Sequence, residues 1–121
     1  MEVSVLEIHV QQLEVFARVG VTEDERSRPQ RLTLDITVWP RATMAQMNDD
    51  ILQTVNYSDL ASEARNVVDE RTDKLVETLA DCIAARLMDV FSIRQVRVEL
   101  HKFVLPGTDY VSVTVTRGAL V

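Results

Sequence analysis

Apolar side chains recur at every second position near both ends of the chain, and this spacing predicts β-strands. The first such segment has apolar residues at Leu6, Ile8 and Val10, then at Leu13, Val15 and Val19. Because the parity changes around Gln11 and Gln12, we predict one long bent strand with a β-bulge at that point. A second strand is predicted from Arg31 to Trp39, and the loop from Gly20 to Pro29 closes the hairpin.

The middle of the chain instead has the helical spacing of three and four. The apolar residues of a first predicted helix share one face: Leu60, Ala64, Val67 and Val68. A second predicted helix has a longer apolar face: Leu75, Leu79, Ile83, Leu87 and Val90. We predict that Ser58 or Asp59 caps the first helix and that Thr72 or Asp73 caps the second.

Strand spacing returns in the last third of the chain, at Val96, Val98 and Leu100 and then at Val111, Val113 and Val115. The predicted order is therefore β-β-α-α-β-β. Since short loops join the strands in pairs, we expect an α+β fold with an antiparallel four-stranded sheet and both helices on one face. A chain of 121 residues with 46% apolar and 26% charged residues suits one domain over residues 1–121.

Charge and residue usage exclude several classes of function. The net charge of −6 disfavours nonspecific binding to nucleic acid or to an anionic membrane. The only cysteine, Cys82, has no partner for an intrachain disulfide, so we expect a cytoplasmic protein. The sequence starts without a basic signal region, and no apolar run approaches the roughly 18 residues that span a bilayer. Three widely spaced glycines exclude a glycine-rich phosphate loop.

A metal centre is not predicted, because the imidazole and thiol groups are far apart in the sequence. They are His9, Cys82 and His101, and none lies at ligand spacing from another. Cys82 is next to the apolar stripe of the second helix, which favours a core thiol. Both histidines have the polar parity of their strands, so we expect them to be solvated.

Lys102 and Glu77 are candidates for chemistry because of their positions. Continuing the alternation past Leu100 places Lys102 on the apolar face at the end of a strand. Its ammonium is either partly desolvated and able to act as an acid or base, or it reaches solvent at the sheet edge. Glu77 lies about 140° from the apolar stripe, so it is exposed in a monomer and informative only if a second subunit meets that face. For Tyr57 and Glu25 the pattern leaves two alternatives: a functional role, or an ordinary position as a boundary aromatic and a solvated loop acid, respectively.

Several motifs, taken together, resemble one enzyme family. They are Gly20-Val21 with Glu25 and Gln30, Asp49-Asp50 with Val55-Asn56-Tyr57, Leu75-Val76-Glu77-Thr78-Leu79-Ala80 and Val98-Glu99-Leu100-His101-Lys102. Their order and spacing resemble dihydroneopterin aldolase of the folate pathway over nearly the whole chain. They also resemble the sister family, dihydroneopterin triphosphate 2′-epimerase. The resemblance implies the tunnelling fold, in which protomers form a homotetramer or homo-octamer with active sites between protomers.

The resemblance also implies roles for individual residues. Glu77 would anchor the 2-amino and N3 positions of a pterin, with backbone groups of Val55 and Val76 on its other edges. Lys102 and Tyr57 would act in the retro-aldol cleavage of 7,8-dihydroneopterin, and Glu25 would lie near the hydroxylated tail. No metal or other cofactor is implied, because the protonated pterin ring accepts the electrons.

Two residues depart from the aldolase pattern. Val19 stands where many members have histidine, and Phe103 follows the lysine where many have proline. The second departure resembles the epimerase branch, whose triphosphate substrate would need cations, for which the candidates are Arg28, Arg31 and Arg94. Aldolase is therefore the first prediction and epimerase the second, with a non-catalytic pterin- or purine-binding protein as a third.

Overall fold

Strands and helices follow one another along the chain in the computed structural model, which describes residue 2 and residues 4–118. The strands are β1 (Ile8–Val19), β2 (Gln30–Pro40), β3 (Thr72–Asp73), β4 (Ile93–Lys102) and β5 (Val111–Gly118). The helices are α1 (Glu23–Arg26), α2 (Met44–Met47), α3 (Tyr57–Glu70) and α4 (Val76–Val90), with a short 3₁₀ helix at Ile51–Gln53. In this part of the chain, no helix has both the length and the apolar character needed to cross a membrane.

The strands form one mixed sheet in the order β3-β1-β2-β4-β5. The four longer strands pair antiparallel, while β3 pairs with β1 in parallel. The α+β fold is confirmed, but the prediction of four antiparallel strands missed β3. This strand has only two residues, Thr72 and Asp73, beside Arg18 and Val19, and two residues are too few to show alternation in a sequence.

Helices α3 and α4 cover one face of the sheet and enclose a hydrophobic core. The central strands β2 and β4 contribute side chains with no exposed surface: Leu32, Leu34, Ile36, Val38, Val96, Val98 and Leu100. The helices bury the middle of their predicted stripes against them: Leu60, Ala64, Val67, Val68, Leu79, Ile83 and Leu87. Leu75 and Val90, at the two ends of the second stripe, are about half exposed. Cys82 packs partly buried against this core, as expected.

The β-bulge predicted near Gln11 and Gln12 is confirmed. The register of β1 on β2 shifts between Val10 and Leu13, and Gln12 has a left-handed backbone with φ of 57°. The N–H that the bulge releases at Gln12 donates to the Asp35 carboxylate at 2.8 Å. Side chains before and after the bulge therefore pack on the same core despite their opposite parity.

The helix caps predicted from the sequence are wrong. Helix α3 is capped by Asn56, whose side-chain oxygen accepts a hydrogen bond from the Ser58 N–H at 2.9 Å. Helix α4 begins after Leu75, which makes no side-chain capping bond. Thr72 and Asp73 do not cap it, because strand β3 already uses them.

Candidate active site

The hairpin loop between β1 and β2 folds around Gly20. The side-chain amide of Gln30 donates to the Val19 carbonyl at 2.6 Å, and the Arg26 guanidinium donates to the Gly20 carbonyl at 2.8 Å. Gly20 has no side chain at the point where Glu25 packs on it, since a Cβ there would lie 2.4 Å from the Glu25 Cβ. The loop therefore needs a glycine at this position to hold Glu25 at the end of the sheet.

Glu25 and Lys102 form an ion pair at that end, with Nζ of Lys102 3.2 Å from Oε2 of Glu25. Lys102 is the last residue of β4 and lies opposite Leu32, and its side chain is 12% exposed. Within the protomer, this lysine is therefore mostly buried against Glu25 rather than extended into solvent. The hydrogen bond from Lys102, followed by that from the Thr22 N–H, holds the pKa of the Glu25 carboxyl below its usual value.

The start of α4 lies at the same end of the sheet. The N–H of Gly20 donates to the Asp73 carbonyl at 3.1 Å, which attaches the Gly20 loop to the segment leading into α4. In the first turn of this helix, Val76 is half-buried and Glu77 is exposed, as its distance from the apolar stripe predicted. Glu25, Lys102, Val76 and Glu77 thus share one end of the sheet.

Val55 and Tyr57 lie at the opposite end. The buried Val55 lines a cavity of about 280 Å³ together with Pro40, the last residue of β2. Tyr57 is the first residue of α3 and is 65% exposed. Lys102 is paired with Leu32 instead, near the start of β2, and Leu32 and Pro40 are roughly 26 Å apart at ~3.3 Å per strand residue. One protomer therefore does not bring Tyr57 and Lys102 together.

His101 contradicts the sequence-based expectation, because its side chain is 1% exposed rather than solvated. The Tyr110 ring packs edge-on against it with 4.4 Å between the ring centroids, and the Thr33 hydroxyl shares a 2.9 Å hydrogen bond with Nδ1. The alternation along β4 predicted the correct face for His101, but the chain beyond β4 folds back and covers that face. His9 is exposed as expected, with a 2.9 Å hydrogen bond shared with Thr37.

Two carboxylates face the buried imidazole of His101. Its Nε2–H donates to Oε2 of Glu99 at 2.6 Å, and Oδ2 of Asp35 lies 3.7 Å from Nε2. Asp35 and Glu99 are directly opposite on β2 and β4, so Nε2 of His101 faces two carboxylates at once. Asp35, Glu99 and His101 have ligand atoms that all lie within 4.8 Å of one another. Among residues 2 and 4–118, these three form the group that could hold a metal ion. Comparing only histidines and cysteines in the sequence could not reveal these carboxylates.

The three arginines proposed as phosphate ligands do not form one cationic site. Arg28 is mostly exposed in the hairpin loop. Arg31 donates to a Glu14 carboxylate oxygen at 2.7 Å, and its guanidinium carbon lies 5.2 Å from the centroid of the Phe103 ring. Arg94 is near the start of β4, at the end of the sheet away from Lys102.

The dihydroneopterin aldolase family model matches residues 8–116. The chain belongs to the dihydroneopterin aldolase family. It is 34% identical to the dihydroneopterin aldolase of Methylorubrum extorquens over 116 residues, which cover 92% of this chain and 88% of that protein. Its fold matches a structure of Escherichia coli dihydroneopterin aldolase in complex with neopterin, with a TM-score of 0.85 and 27% identity over 93% of this chain and 98% of the other. A Burkholderia thailendensis dihydroneopterin aldolase bound to guanine matches with a TM-score of 0.78 and 25% identity over 95% and 92% of the two chains.

Membership of the family confirms the resemblance that the scattered motifs carry. It also confirms dihydroneopterin aldolase, a lyase, as the function predicted ahead of the epimerase. The motif around Gly20 and the motif ending at Lys102 are brought together by the fold. The roles of the individual site residues stay predictions.

The contact between His101 and Glu99 should make the stability of this protein depend on pH. The hydrogen bond from His101 is the largest cause that holds the pKa of the Glu99 carboxyl below its usual value. A carboxyl whose pKa is lower in the folded than in the unfolded chain stabilises the fold above about pH 4.3, and this stabilisation is lost as the pH falls through the folded-state pKa.

Glu99→Gln should therefore unfold at lower denaturant than wild type at neutral pH, and the difference should shrink as the pH falls from about 5 to about 3. Denaturant titrations at several pH values measure this, with Glu23→Gln on the exposed helix α1 as control. A Glu99→Gln difference that stays constant over this range would contradict the expectation.

Proposed function

We propose that this chain cleaves 7,8-dihydroneopterin by a retro-aldol reaction to 6-hydroxymethyl-7,8-dihydropterin and glycolaldehyde. The observation that carries the proposal is the pair of Glu25 and Lys102. A lysine with 12% of its side chain exposed lies 3.2 Å from a carboxylate, and both residues belong to motifs that resemble the aldolase family. The related Escherichia coli enzyme binds neopterin, and we extend that class of ligand to this chain.

In this proposal, Glu77 recognises the pterin ring. Its carboxylate is exposed in the first turn of α4, and a carboxylate can accept hydrogen bonds from two neighbouring N–H groups, here those at the 2-amino and N3 positions. Backbone groups of Val76 and Val55 bind the remaining polar edges of the ring. The guanine bound to the Burkholderia relative has the same kind of donor edge.

Lys102 holds and polarises the water or hydroxyl through which the 2′-hydroxyl proton leaves. The bond between C1′ and C2′ then breaks, its electron pair enters the ring protonated at N5, and glycolaldehyde is released. Tyr57 assists proton delivery to the resulting enol, which gives the hydroxymethyl product, while Glu25 lies near the tail. Because the ring accepts the electrons, the reaction requires neither a metal ion nor a lysine Schiff base.

The site is completed between protomers of a homotetramer or homo-octamer. Tyr57 and Lys102 lie at opposite ends of the sheet. Leu32, opposite Lys102, and Pro40, at the end where α3 begins, are roughly 26 Å apart along β2, which is too far for both residues to reach one substrate from the same protomer. Exposed apolar side chains are present at both ends, as an interface requires. They are Val21, Phe103, Val104 and Leu105 near Lys102, and Ile51 and Leu52 before Tyr57.

Epimerisation of dihydroneopterin triphosphate is the second candidate activity. Phe103 follows Lys102, and Arg31 stacks on the Phe103 ring with its guanidinium carbon 5.2 Å from the ring centroid. This cation adjoins Lys102, although the Glu14 carboxylate engages it within the protomer. Epimerisation and aldol cleavage share the retro-aldol intermediate, so the catalytic groups alone do not separate the two activities.

Incubation of the purified protein with 7,8-dihydroneopterin and, separately, with its triphosphate tests the proposed reaction. We expect 6-hydroxymethyl-7,8-dihydropterin and glycolaldehyde from the free substrate, measured by chromatography. Predominant conversion of the triphosphate to its 2′-epimer would instead assign the second activity. Binding of the pterin without turnover of either compound would contradict both and leave a binding protein.

Lys102→Ala and Glu77→Ala should affect different kinetic constants. Removing the lysine should lower kcat about 100-fold or more, since it acts on the proton transferred during bond cleavage. Removing the glutamate should chiefly raise KM, by about tenfold to 100-fold, because the pterin ring loses its hydrogen bonds to the charged carboxylate. Steady-state kinetics measure both, with Asp89→Ala on the exposed end of α4 as control. Equal losses of affinity in both variants would contradict these roles.

Mixing two inactive variants tests whether the site lies between protomers. Tyr57→Phe and Lys102→Ala protomers that are unfolded and refolded together should form sites that combine the wild-type residue of each. Random assembly should restore about a quarter of the sites to full activity. No recovery in mixed oligomers, or a monomeric wild-type protein in light scattering at the assay concentration, would contradict the arrangement.

A further inference from the structure

The first turns of α1 and α2 are built in the same way. Each is a four-residue helix preceded by a threonine whose hydroxyl accepts the N–H of the third helical residue, while that residue's side chain accepts the threonine N–H. In α2 the pair is Thr43 and Gln46, whose Oε1 accepts at 2.7 Å. In α1 the pair is Thr22 and Glu25. An amide is therefore sufficient for this capping box, and the negative charge of Glu25 is not required to start the helix.

The two carboxylate oxygens of Glu25 have different partners. Oε1 accepts from the Thr22 hydroxyl and N–H, at 3.3 and 3.4 Å. Oε2 accepts from Nζ of Lys102 at 3.2 Å. On the other side, the Glu25 side chain lies against Gly20, where a Cβ would approach Oε2 to 2.8 Å. The carboxylate is thus confined between the bare backbone of Gly20 and the polar groups of Thr22.

We propose that Thr22 is a positioning residue of the active site, which fixes one carboxylate oxygen of Glu25 so that the other stays on Lys102. The inference rests on the proposed roles of Glu25 and Lys102 in the aldolase reaction. Helix α1 has no buried residue, and the Arg26 guanidinium anchors it independently to the Gly20 and Val21 carbonyls. The fold therefore does not depend on the Thr22 hydroxyl, and its effect falls on the orientation of Glu25.

The charge state of Glu25 provides a readout that a merely structural role would not change. After Lys102, the Thr22 N–H is the next cause that lowers the pKa of the Glu25 carboxyl, and the Thr22 hydroxyl also lowers it. Removing the hydroxyl should raise this pKa toward its usual value, both directly and by loosening the contact with Lys102. The acid limb of the pH–activity profile should then move to higher pH, because Glu25 becomes protonated at a higher pH than in the wild type.

The test compares Thr22→Val, Thr22→Ser and Glu25→Gln, the double variant Thr22→Val with Glu25→Gln, and Thr43→Val. Thr22→Val should lower dihydroneopterin kcat about tenfold with little change in KM and should shift the acid limb upward. Thr22→Ser should restore both. Thr43→Val removes the same cap hydroxyl from α2 and should leave kcat and the pH profile unchanged. Because Thr22 acts through the Glu25 carboxylate, the double variant should turn over no more slowly than Glu25→Gln alone.

Wild-type kcat and pH profile in Thr22→Val, or additive losses in the double variant, would overturn the proposal. The Glu25 carboxyl is also titrated by carbon-13 nuclear magnetic resonance, which needs no turnover. If the wild-type protein does not cleave dihydroneopterin, the proposed function fails, but an upward shift of the Glu25 pKa in Thr22→Val still supports the positioning role. An unchanged pKa in folded Thr22→Val would overturn that role whether or not the enzyme turns over.

Discussion

The complete burial of one face of strands β2 and β4 is the constraint on which the site depends. Leu34 lies opposite Leu100 and Leu32 lies opposite Lys102, and these three leucines have no exposed surface. Helices α3 and α4 cover the face, so a charged group on it is tolerated only where the strand ends. Lys102 stands two residues beyond Leu100, at that limit. There the hairpin loop supplies Glu25 in place of water.

The alternating pattern of the chain could predict which face each side chain takes, but not what covers that face. It placed Lys102 correctly at the edge of the apolar face. It also placed His101 correctly on the opposite face, yet His101 is buried because Tyr110 returns to it from beyond the turn after β4. Such cover depends on the path of the chain after the strand, which period-two spacing does not record.

The alternating pattern likewise could not predict the two-residue strand β3. Strand β3 follows from the docking of Asp73 on the Gly20 loop, and it removes Thr72 and Asp73 from the role of helix caps. The family motifs predicted a set of site residues without locating them in space. Helix α3 begins beside the end of β2, so the motif containing Tyr57 lies at the other end of the sheet from Lys102.

Strand β1 has a register shift against β2 between Val10 and Leu13, and β4 has one near its start, where Trp39 lies opposite Gln95 but Pro40 lies opposite Ile93. From Gln95 to Lys102 the pairing of β4 is regular on both sides. In β1 the extra residue forms a bulge at Gln12. Its backbone is left-handed, and its N–H, which leaves the strand pairing, donates to the Asp35 carboxylate. In β4 a shift of one residue would exchange the faces of His101 and Lys102. The ammonium would then lie on the face that holds Asp35 and Glu99, and the imidazole would lie in the proposed active site. An extra residue is therefore accommodated at Gln12 in β1 and at the start of β4, whereas one inserted between Gln95 and Lys102 would move the ammonium away from Glu25.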